Sequence, residues 1–209
     1  MDVKTAYEQW LHDFPLFLGI NKKNPPQIAI WLEDTQGNYL STVYVTHKIA
    51  TQSWQASGGN RRKEALPHWC YSRGVKYDDG LYLPTKKEPL IDGISGATPH
   101  ESFNIKLNPA TALKKFVVKI EINHSTDFNE AFPKSAKDGE ANYSGGKEGS
   151  GQPAIVYAAN VDLSSGEKSF EANLMGHSSP DGSSGEVNKD TSGLTTALHI
   201  VKRITVIIQ

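Results

Sequence analysis

Residues 116–122 read FVVKIEI. Every second position of this segment, from Phe116 to Ile122, is strongly apolar, and Lys119 and Glu121 lie between them. Successive side chains of a β-strand point to opposite faces of a sheet, so this period of two predicts a strand with one buried face.

The same alternation, or a short dense apolar run, recurs along the chain. It predicts strands at residues 27–33, 39–46, 155–161 and 200–208, with shorter candidates at 102–107 and 168–174. Residues 34–38, DTQGN, are typical of a hairpin turn because Gly37 can adopt a positive φ. No helical pattern of ordinary length separates these strands, which excludes alternating β-α-β units. We therefore predict an all-β fold, an immunoglobulin-like antiparallel β-sandwich with long loops.

The N-terminal segment has a different pattern. Residues 5–18, TAYEQWLHDFPLFL, carry aromatic and apolar side chains at helix-like spacing up to Pro15 and predict a short helix. We expect residues 1–26 to form an N-terminal helical segment that packs on a single β-sandwich domain of residues 27–209. The first residues lack the charged start and apolar stretch of a secretory signal peptide.

Composition excludes several classes of protein. The 209 residues carry 22 Lys and Arg against 23 Asp and Glu, a net charge of -1, which gives no global field to attract nucleic acid. The apolar runs are shorter than the roughly 18 residues of a membrane-spanning helix. Cys70 is the one cysteine, which excludes an intramolecular disulfide and cysteine-based metal clusters. We expect neither a nucleic-acid partner nor a membrane span.

Phosphate-loop and hydrolase chemistry have weak support. Residues 145–148, GGKE, lack the Ser or Thr that follows Lys in a phosphate-binding loop, so we interpret them as a flexible loop. Residues 176–180, GHSSP, place Pro180 where the nucleophile elbow of a hydrolase needs Gly. A hydrolase would require Ser178 or Ser179 within hydrogen-bond reach of a histidine that a carboxylate orients.

Metal binding also has weak support. A partial calcium-loop pattern is confined to Asp181, Ser183, Gly185 and Asp190. A true calcium loop needs more carboxylates and a bidentate Glu at its end. His68 and Cys70 flank Trp69, and packing of Trp69 and Cys70 is the better interpretation because further ligands are missing. We predict no metal site and no catalytic residue.

Residues 92–98, DGISGAT, are the most specific motif of the chain. The pattern Asp-x-x-Ser/Thr-Gly-Ala-Thr resembles the site at which periplasmic flavin transferases esterify the phosphate of FMN to the final threonine. The second interpretation is a tight turn before the strand predicted at residues 102–107. The predicted cofactor-binding residues are Thr98, Asp92, Ser95, Gly96 and Ala97.

Each position of this motif has a chemical reason in the flavin interpretation. Thr98 supplies the nucleophilic hydroxyl. Gly96 and Ala97 are small enough for the segment to lie in the cleft of another enzyme. Asp92 and Ser95 fix the conformation of the loop through hydrogen bonds to its backbone.

A wider resemblance rests on residues 26–34, PQIAIWLED, with Gly37 after them, on the DGISGAT motif, and on residues 151–154 with Tyr157. Over about residues 27–209 the chain resembles a bacterial family of predicted periplasmic proteins with domain of unknown function 2271. The resemblance implies a small β-sandwich that is periplasmic or secreted, with the leader absent from this chain. Members are found near flavin transferases and membrane-anchored redox proteins, which are the partners that the resemblance implies.

The leading functional hypothesis is a non-enzymatic carrier of covalent FMN in extracytoplasmic electron transfer. Five aromatic residues could stack on the flavin: Trp54, Trp69, Tyr71, Tyr77 and Tyr82. Three arginines could stabilise a reduced anionic flavin: Arg61, Arg62 and Arg73. The alternative is a binding or structural module of the cell envelope that holds a protein or a glycan, with the aromatic stretch as its docking surface.

Overall fold

The structure, a computed structural model, describes residues 1–5, 12–15, 21–54, 61–90, 94–96, 102–106 and 113–208. The chain is mostly β, with 33% strand and 11% helix, and has two main sheets. The prediction of an all-β fold is therefore confirmed.

Twelve strands and two short α-helices are described. The strands are β1 Asp2–Thr5, β2 His12–Pro15, β3 Asn21–Asn24, β4 Gln27–Glu33, β5 Tyr39–Thr46, β6 Ile94–Gly96, β7 Phe103–Asn104, β8 Lys115–Asn123, β9 Ile155–Asp162, β10 Ser169–Glu171, β11 Asn173–His177 and β12 Val201–Ile207. The α-helices are α1 His47–Thr51 and α2 Pro67–Ser72. Two 3-10 turns lie at Gly146–Glu148 and Thr196–His199.

The strands form a six-stranded sheet, a four-stranded sheet and a separate hairpin. The six-stranded sheet has the order β11-β9-β8-β4-β5-β6, the four-stranded sheet has the order β10-β12-β1-β7, and β2 pairs with β3. All of these pairs are antiparallel except one. Tyr44–Thr46 of β5 runs parallel to Ile94–Gly96 of β6, so the prediction of a wholly antiparallel arrangement is wrong at this edge.

Both faces of the six-stranded sheet are buried at its centre, where every residue of β4 is buried. Side chains of both main sheets, such as Ile30 and Ile204, form the first hydrophobic core. On the opposite face, Trp31 packs with Ile49 of α1 and Trp69 of α2 in a second core. Strand β8 was expected to expose one face, and this is wrong at Glu121, which is fully buried because α2 covers it.

The helix predicted over residues 5–18 is not found in the described part of that segment. Thr5 ends β1, and residues His12–Pro15 form β2. β1 pairs with both β12 and β7, which satisfies backbone groups on both of its edges. Pro15 also disfavours helical geometry at Phe14, so sheet pairing prevails over the local helix-like spacing. Residues 6–11 and 16–18 lie outside the described residues.

The remaining strand predictions differ from the structure mainly at their ends. The strand expected over residues 102–107 is described only as Phe103–Asn104. The strand expected over residues 168–174 is two strands, β10 in the four-stranded sheet and β11 in the six-stranded sheet. Ala172, between them, is the point at which the chain changes sheets.

The glycine-rich residues 145–148 include the 3-10 turn Gly146–Glu148 and approach the Glu64 side chain closely. A Cβ atom at Gly145 would lie 2.7 Å from the Glu64 side chain. Shortly after this turn, Ser150 is fully buried and accepts a hydrogen bond from Nη2 of Arg62 at 3.0 Å. Arg62 Nε in turn donates to Glu64 Oε1 at 2.8 Å, so the loop closes over a buried ion pair.

Candidate functional site

The described part of the DGISGAT motif is the edge strand β6. It ends the six-stranded sheet beside β5, and Ser95 is exposed while Gly96 is half-buried. Asp92, Ala97 and Thr98 lie outside the described residues. The structure therefore places the centre of the motif at an accessible sheet edge.

Gly96 has a packing role that the motif did not predict. A Cβ atom at this position would lie 3.1 Å from Cε2 of Tyr44 on the neighbouring strand. The Tyr44 ring lies 6.2 Å from the Phe103 ring, measured between centroids, and so connects the edges of the two main sheets. The small residue at position 96 allows the edge strand to approach this aromatic pair.

Helix α1 lies beside the end of β6. Strand β5 leads directly into α1, and because β6 runs parallel to β5, the chain leaves β6 at the end of the sheet where α1 begins. Lys48 of α1 has its Nζ 5.8 Å from the centroid of the Trp54 ring. Trp54 is half-buried, and its Nε1 donates to Gln52 Oε1 at 2.9 Å.

Three of the aromatic residues expected to bind a flavin pack inside the protein or on each other. Trp69 is fully buried, donates from Nε1 to Thr42 Oγ1 at 3.0 Å and lies under the Arg73 guanidinium at 5.0 Å. Tyr71 and Tyr82 stack on each other with ring centroids 4.3 Å apart. These contacts fix the segment against the sheet, so they favour a structural role for it over a docking surface.

The three expected arginines are also engaged by the protein itself. Arg61 forms an ion pair with Asp79, and Arg62 is buried with Glu64. Arg73 covers Trp69 and donates from Nη2 to the Tyr77 hydroxyl at 3.4 Å. Trp54 is engaged as well, because the Arg62 guanidinium lies 4.8 Å from the centroid of its ring.

A buried polar cluster that the sequence pattern does not predict lies between β8 and α2. The Glu121 carboxylate accepts hydrogen bonds from two backbone N–H groups of α2, from His68 at 3.2 Å and from Trp69 at 2.8 Å. Lys119 Nζ lies 3.4 Å from His68 Nε2 and 3.8 Å from Glu33 Oε2. The sequence signal for this cluster is the pair of charged residues Lys119 and Glu121 inside an apolar strand. The alternating pattern by itself indicates a solvent-exposed face for both.

Burial shifts the pKa values of Glu121 and His68 in opposite directions. It raises the pKa of Glu121 to about 7, opposed by the Trp69, Ser178 and His68 hydrogen bonds and by Lys119. It lowers the pKa of His68 to about 4, opposed by the hydrogen bond to the Gly185 carbonyl and reinforced by Lys119. The cluster therefore favours a protonated Glu121 beside a neutral His68.

A cavity of about 660 Å³ opens at the other edge of the six-stranded sheet, next to β11. Its walls include the imidazole of His177, the ring of Phe132 and the loop that carries Asn188 and Asp190. This loop also contains Ser179, a hydrolase candidate, and the calcium candidates Asp181 and Ser183. No sequence pattern predicted that this loop encloses a cavity.

The serine hydrolase requirement is not met by the described contacts. Ser178 Oγ donates to the Ala154 carbonyl at 3.2 Å, and Ser179 Oγ donates to Asp181 Oδ1 at 2.6 Å. His177 Nδ1 lies 2.8 Å from the Ser178 carbonyl oxygen, which is a backbone acceptor. No described contact joins a serine hydroxyl to a histidine ring.

Two kinds of feature are absent from the part of the chain that the structure describes. No group of three or more His, Cys, Asp and Glu side chains there could hold a metal ion. None of the described helices has the length and apolar character required to cross a membrane.

Comparison of the chain with protein-family models, with curated proteins and with solved structures gave no match. The resemblance described above therefore stays a prediction.

Proposed function

We propose that this protein is an extracytoplasmic, non-enzymatic carrier of covalently bound FMN in electron transfer, with Thr98 as the point of attachment. The observation that supports this is the position of the DGISGAT motif. Its described centre, Ile94–Gly96, is an edge strand with an exposed Ser95. A modifying enzyme needs an acceptor segment that it can reach, and a sheet edge provides one.

The proposed modification is a phosphoryl transfer from a flavin dinucleotide. Thr98 Oγ loses its proton and forms a bond to the phosphorus of the FMN moiety. The bond between that phosphorus and the bridging oxygen breaks, and the adenylate leaves. In this proposal Ala97 and Gly96 leave room for the transferase, and Asp92 and Ser95 hold the segment in the acceptor conformation.

The aromatic and basic side chains expected to bind the flavin make contacts within the protein. Trp54 is half-buried, and its ring centroid lies 5.8 Å from Lys48 Nζ and 4.8 Å from the Arg62 guanidinium. The proposal therefore rests on the motif and assigns no flavin contact to these side chains.

The proposal includes the properties that the resemblance implies. The protein functions in the periplasm or outside the cell, its partners are a flavin transferase and membrane-anchored redox proteins, and its two-sheet core is an immunoglobulin-like sandwich. These properties rest on the resemblance and on the motif.

Flavin attachment is tested by intact-mass analysis after co-expression with a flavin transferase. We expect the wild-type chain to gain the mass of FMN less one water and Thr98→Ala to gain nothing. Ser102→Ala is the matched control, because Ser102 is an exposed hydroxyl residue shortly after the motif and should leave the modification complete. An unmodified wild-type chain, or a flavin mass that persists in Thr98→Ala, would contradict the proposal.

A further inference from the structure

The cavity beside β11 is built on a fixed backbone. Residues His177 and Asn188 exchange two backbone hydrogen bonds, with His177 N–H to Asn188 O at 2.9 Å and Asn188 N–H to His177 O at 2.8 Å. Gly176 has φ +141, and a Cβ atom there would lie 2.0 Å from Asn188 O. The close approach of the loop to the strand therefore requires glycine at this position.

The most buried titratable group in the cavity wall is the imidazole of His177, which is 5% exposed. Its Nδ1 lies 2.8 Å from the Ser178 carbonyl oxygen, which can only accept, so in the neutral ring Nδ1 carries the hydrogen. Nε2 then has a bare lone pair, and no hydrogen bond to it is found among the described residues. The ring is held edge-on to Phe132, with centroids 6.3 Å apart.

Other polar residues line the same cavity, among them Glu186, Asn188 and Asp190. The pKa of Asp190 is lowered, first by a backbone hydrogen bond from Ser192 and also by the positive charge of the nearby His177 when its ring is protonated. Asp190 is therefore a charged acceptor at the rim.

The lining of the cavity is mixed. Phe132, Val187 and Leu194 are its apolar members, and hydroxyl residues such as Ser184 and Ser192 also line it. A cavity of about 660 Å³ lies in the range of about 300–1,000 Å³ that small-molecule sites occupy. A ligand of this site must combine an apolar face with several hydrogen-bond donors.

We propose that this cavity binds a sugar unit. A pyranose ring presents hydroxyl donors around its rim and C–H groups on its faces, which match the His177 and carboxylate acceptors and the apolar lining residues such as Phe132. A cationic amine would also meet the carboxylates. Glu186 and Asp190 are exposed to solvent, however, where salt screens the attraction of a simple cation.

The site is independent of the proposed flavin attachment. The cavity adjoins β11 and the DGISGAT motif includes β6, and these strands are the two opposite edges of one sheet. Binding can therefore be measured on the unmodified chain, and failure of either proposal leaves the other unaffected.

The test is a titration of the purified chain with D-glucose, D-galactose and N-acetyl-D-glucosamine, followed by the NMR resonances of His177 and of the Asn188 amide. We expect saturable shifts with at least one sugar, at a Kd of about 1 mM. His177→Phe keeps the ring but removes the Nε2 acceptor, and should weaken binding about tenfold. His47→Phe, at an exposed histidine of α1, is the matched control and should bind normally.

Asp190→Asn provides a second variant in case His177→Phe does not fold, because Asp190 is exposed. It should weaken sugar binding several-fold. The proposal is overturned if none of the three sugars gives a saturable shift at up to about 50 mM, well above the expected Kd. It is also overturned if spermidine occupies the cavity in a salt-dependent manner while the sugars do not compete.

Discussion

Gly151→Ala is expected to lower the free energy of unfolding by at least about 3 kcal/mol. Gly151 has φ +78, a left-handed conformation that costs an alanine about 1–2 kcal/mol. A Cβ atom there would also lie 2.4 Å from the carbonyl carbon and oxygen of Asp127. Both atoms belong to the backbone, so a side-chain rotation cannot relieve the overlap.

The backbone around Asp127 cannot move without losing hydrogen bonds. Its N–H donates to the Ser150 carbonyl at 2.8 Å, and its carbonyl accepts from the Gln152 N–H at 2.8 Å. Gln152 is itself hydrogen-bonded to Thr195 through Oε1. Displacing residue 127 would therefore disturb the connection between the glycine-rich loop and the segment that leads into β12.

The control Gly166→Ala separates the cost of the left-handed backbone conformation from the cost of the overlap with the Asp127 backbone. Gly166 has φ +80, almost the same as Gly151, but a Cβ atom added there would have no other atom within 4 Å. It should show the conformational cost alone, about 1–2 kcal/mol. In thermal unfolding we expect the Tm of Gly151→Ala to fall by about 6–12 °C and to fall clearly further than that of Gly166→Ala. Equal shifts would contradict the proposed backbone overlap.

The strands that the sequence predicted best are those with local signals. Strands β4 and β5 have the predicted bounds because the turn between them is specified within the segment itself. Asp34 Oδ1 accepts the N–H groups of Gln36 at 2.8 Å and of Asn38 at 2.9 Å, and Gly37 has φ +86. A hairpin of this kind depends on neighbouring residues, which a sequence pattern records.

The layer that covers the six-stranded sheet could not be predicted in the same way. Helices α1 and α2 have 5 and 6 residues, too few to show a helical period. Helix α2 is stabilised by a carboxylate 52 positions away, because Glu121 accepts the Trp69 N–H. Such a pairing leaves no trace in either local segment, and for that reason Lys119 and Glu121 were expected to face solvent.

The two candidate sites also contain both locally specified features and features that depend on residues distant in the sequence. The DGISGAT motif could be found from sequence because its residues are consecutive, but the parallel pairing of β6 with β5 was not predictable from them. The cavity beside β11 combines His177 with Phe132, which comes from a separate loop 45 residues earlier in the chain. Its acceptors converge only after the loops fold onto the sheet edge.

The second large effect is expected in the pH dependence of stability, from Glu121 and His68 together. Glu121 has its pKa raised from 4.5 to about 7, so between these values the folded chain binds one proton that the unfolded chain has lost. Its contribution to stability is therefore present below pH 4.5 and is lost as the pH rises toward 7. His68 has its pKa lowered from 6.5 to about 4, so its contribution is present above pH 6.5 and is lost as the pH falls.

In the wild-type protein these two slopes oppose each other between about pH 4.5 and 6.5 and should nearly cancel. A variant that removes one of the two groups should show the pH dependence of stability that the other group causes. In Glu121→Gln, stability should rise by about 3 kcal/mol from about pH 4 to 6.5, because the unfolded His68 binds a proton that the folded chain rejects. In His68→Asn, stability should fall by about 3 kcal/mol from about pH 4.5 to 7, because Glu121 must then ionise while buried.

Urea unfolding at half-unit pH steps measures these profiles. Both substitutions preserve local geometry: Gln keeps an acceptor for the Trp69 N–H, and Asn keeps a donor for the Gly185 carbonyl. Glu167→Gln, at an exposed position, is the control and should reproduce the wild-type profile. Slopes of the same sign in the two variants would contradict the opposed titration, because burial disfavours the charged form of both groups and those charges have opposite signs.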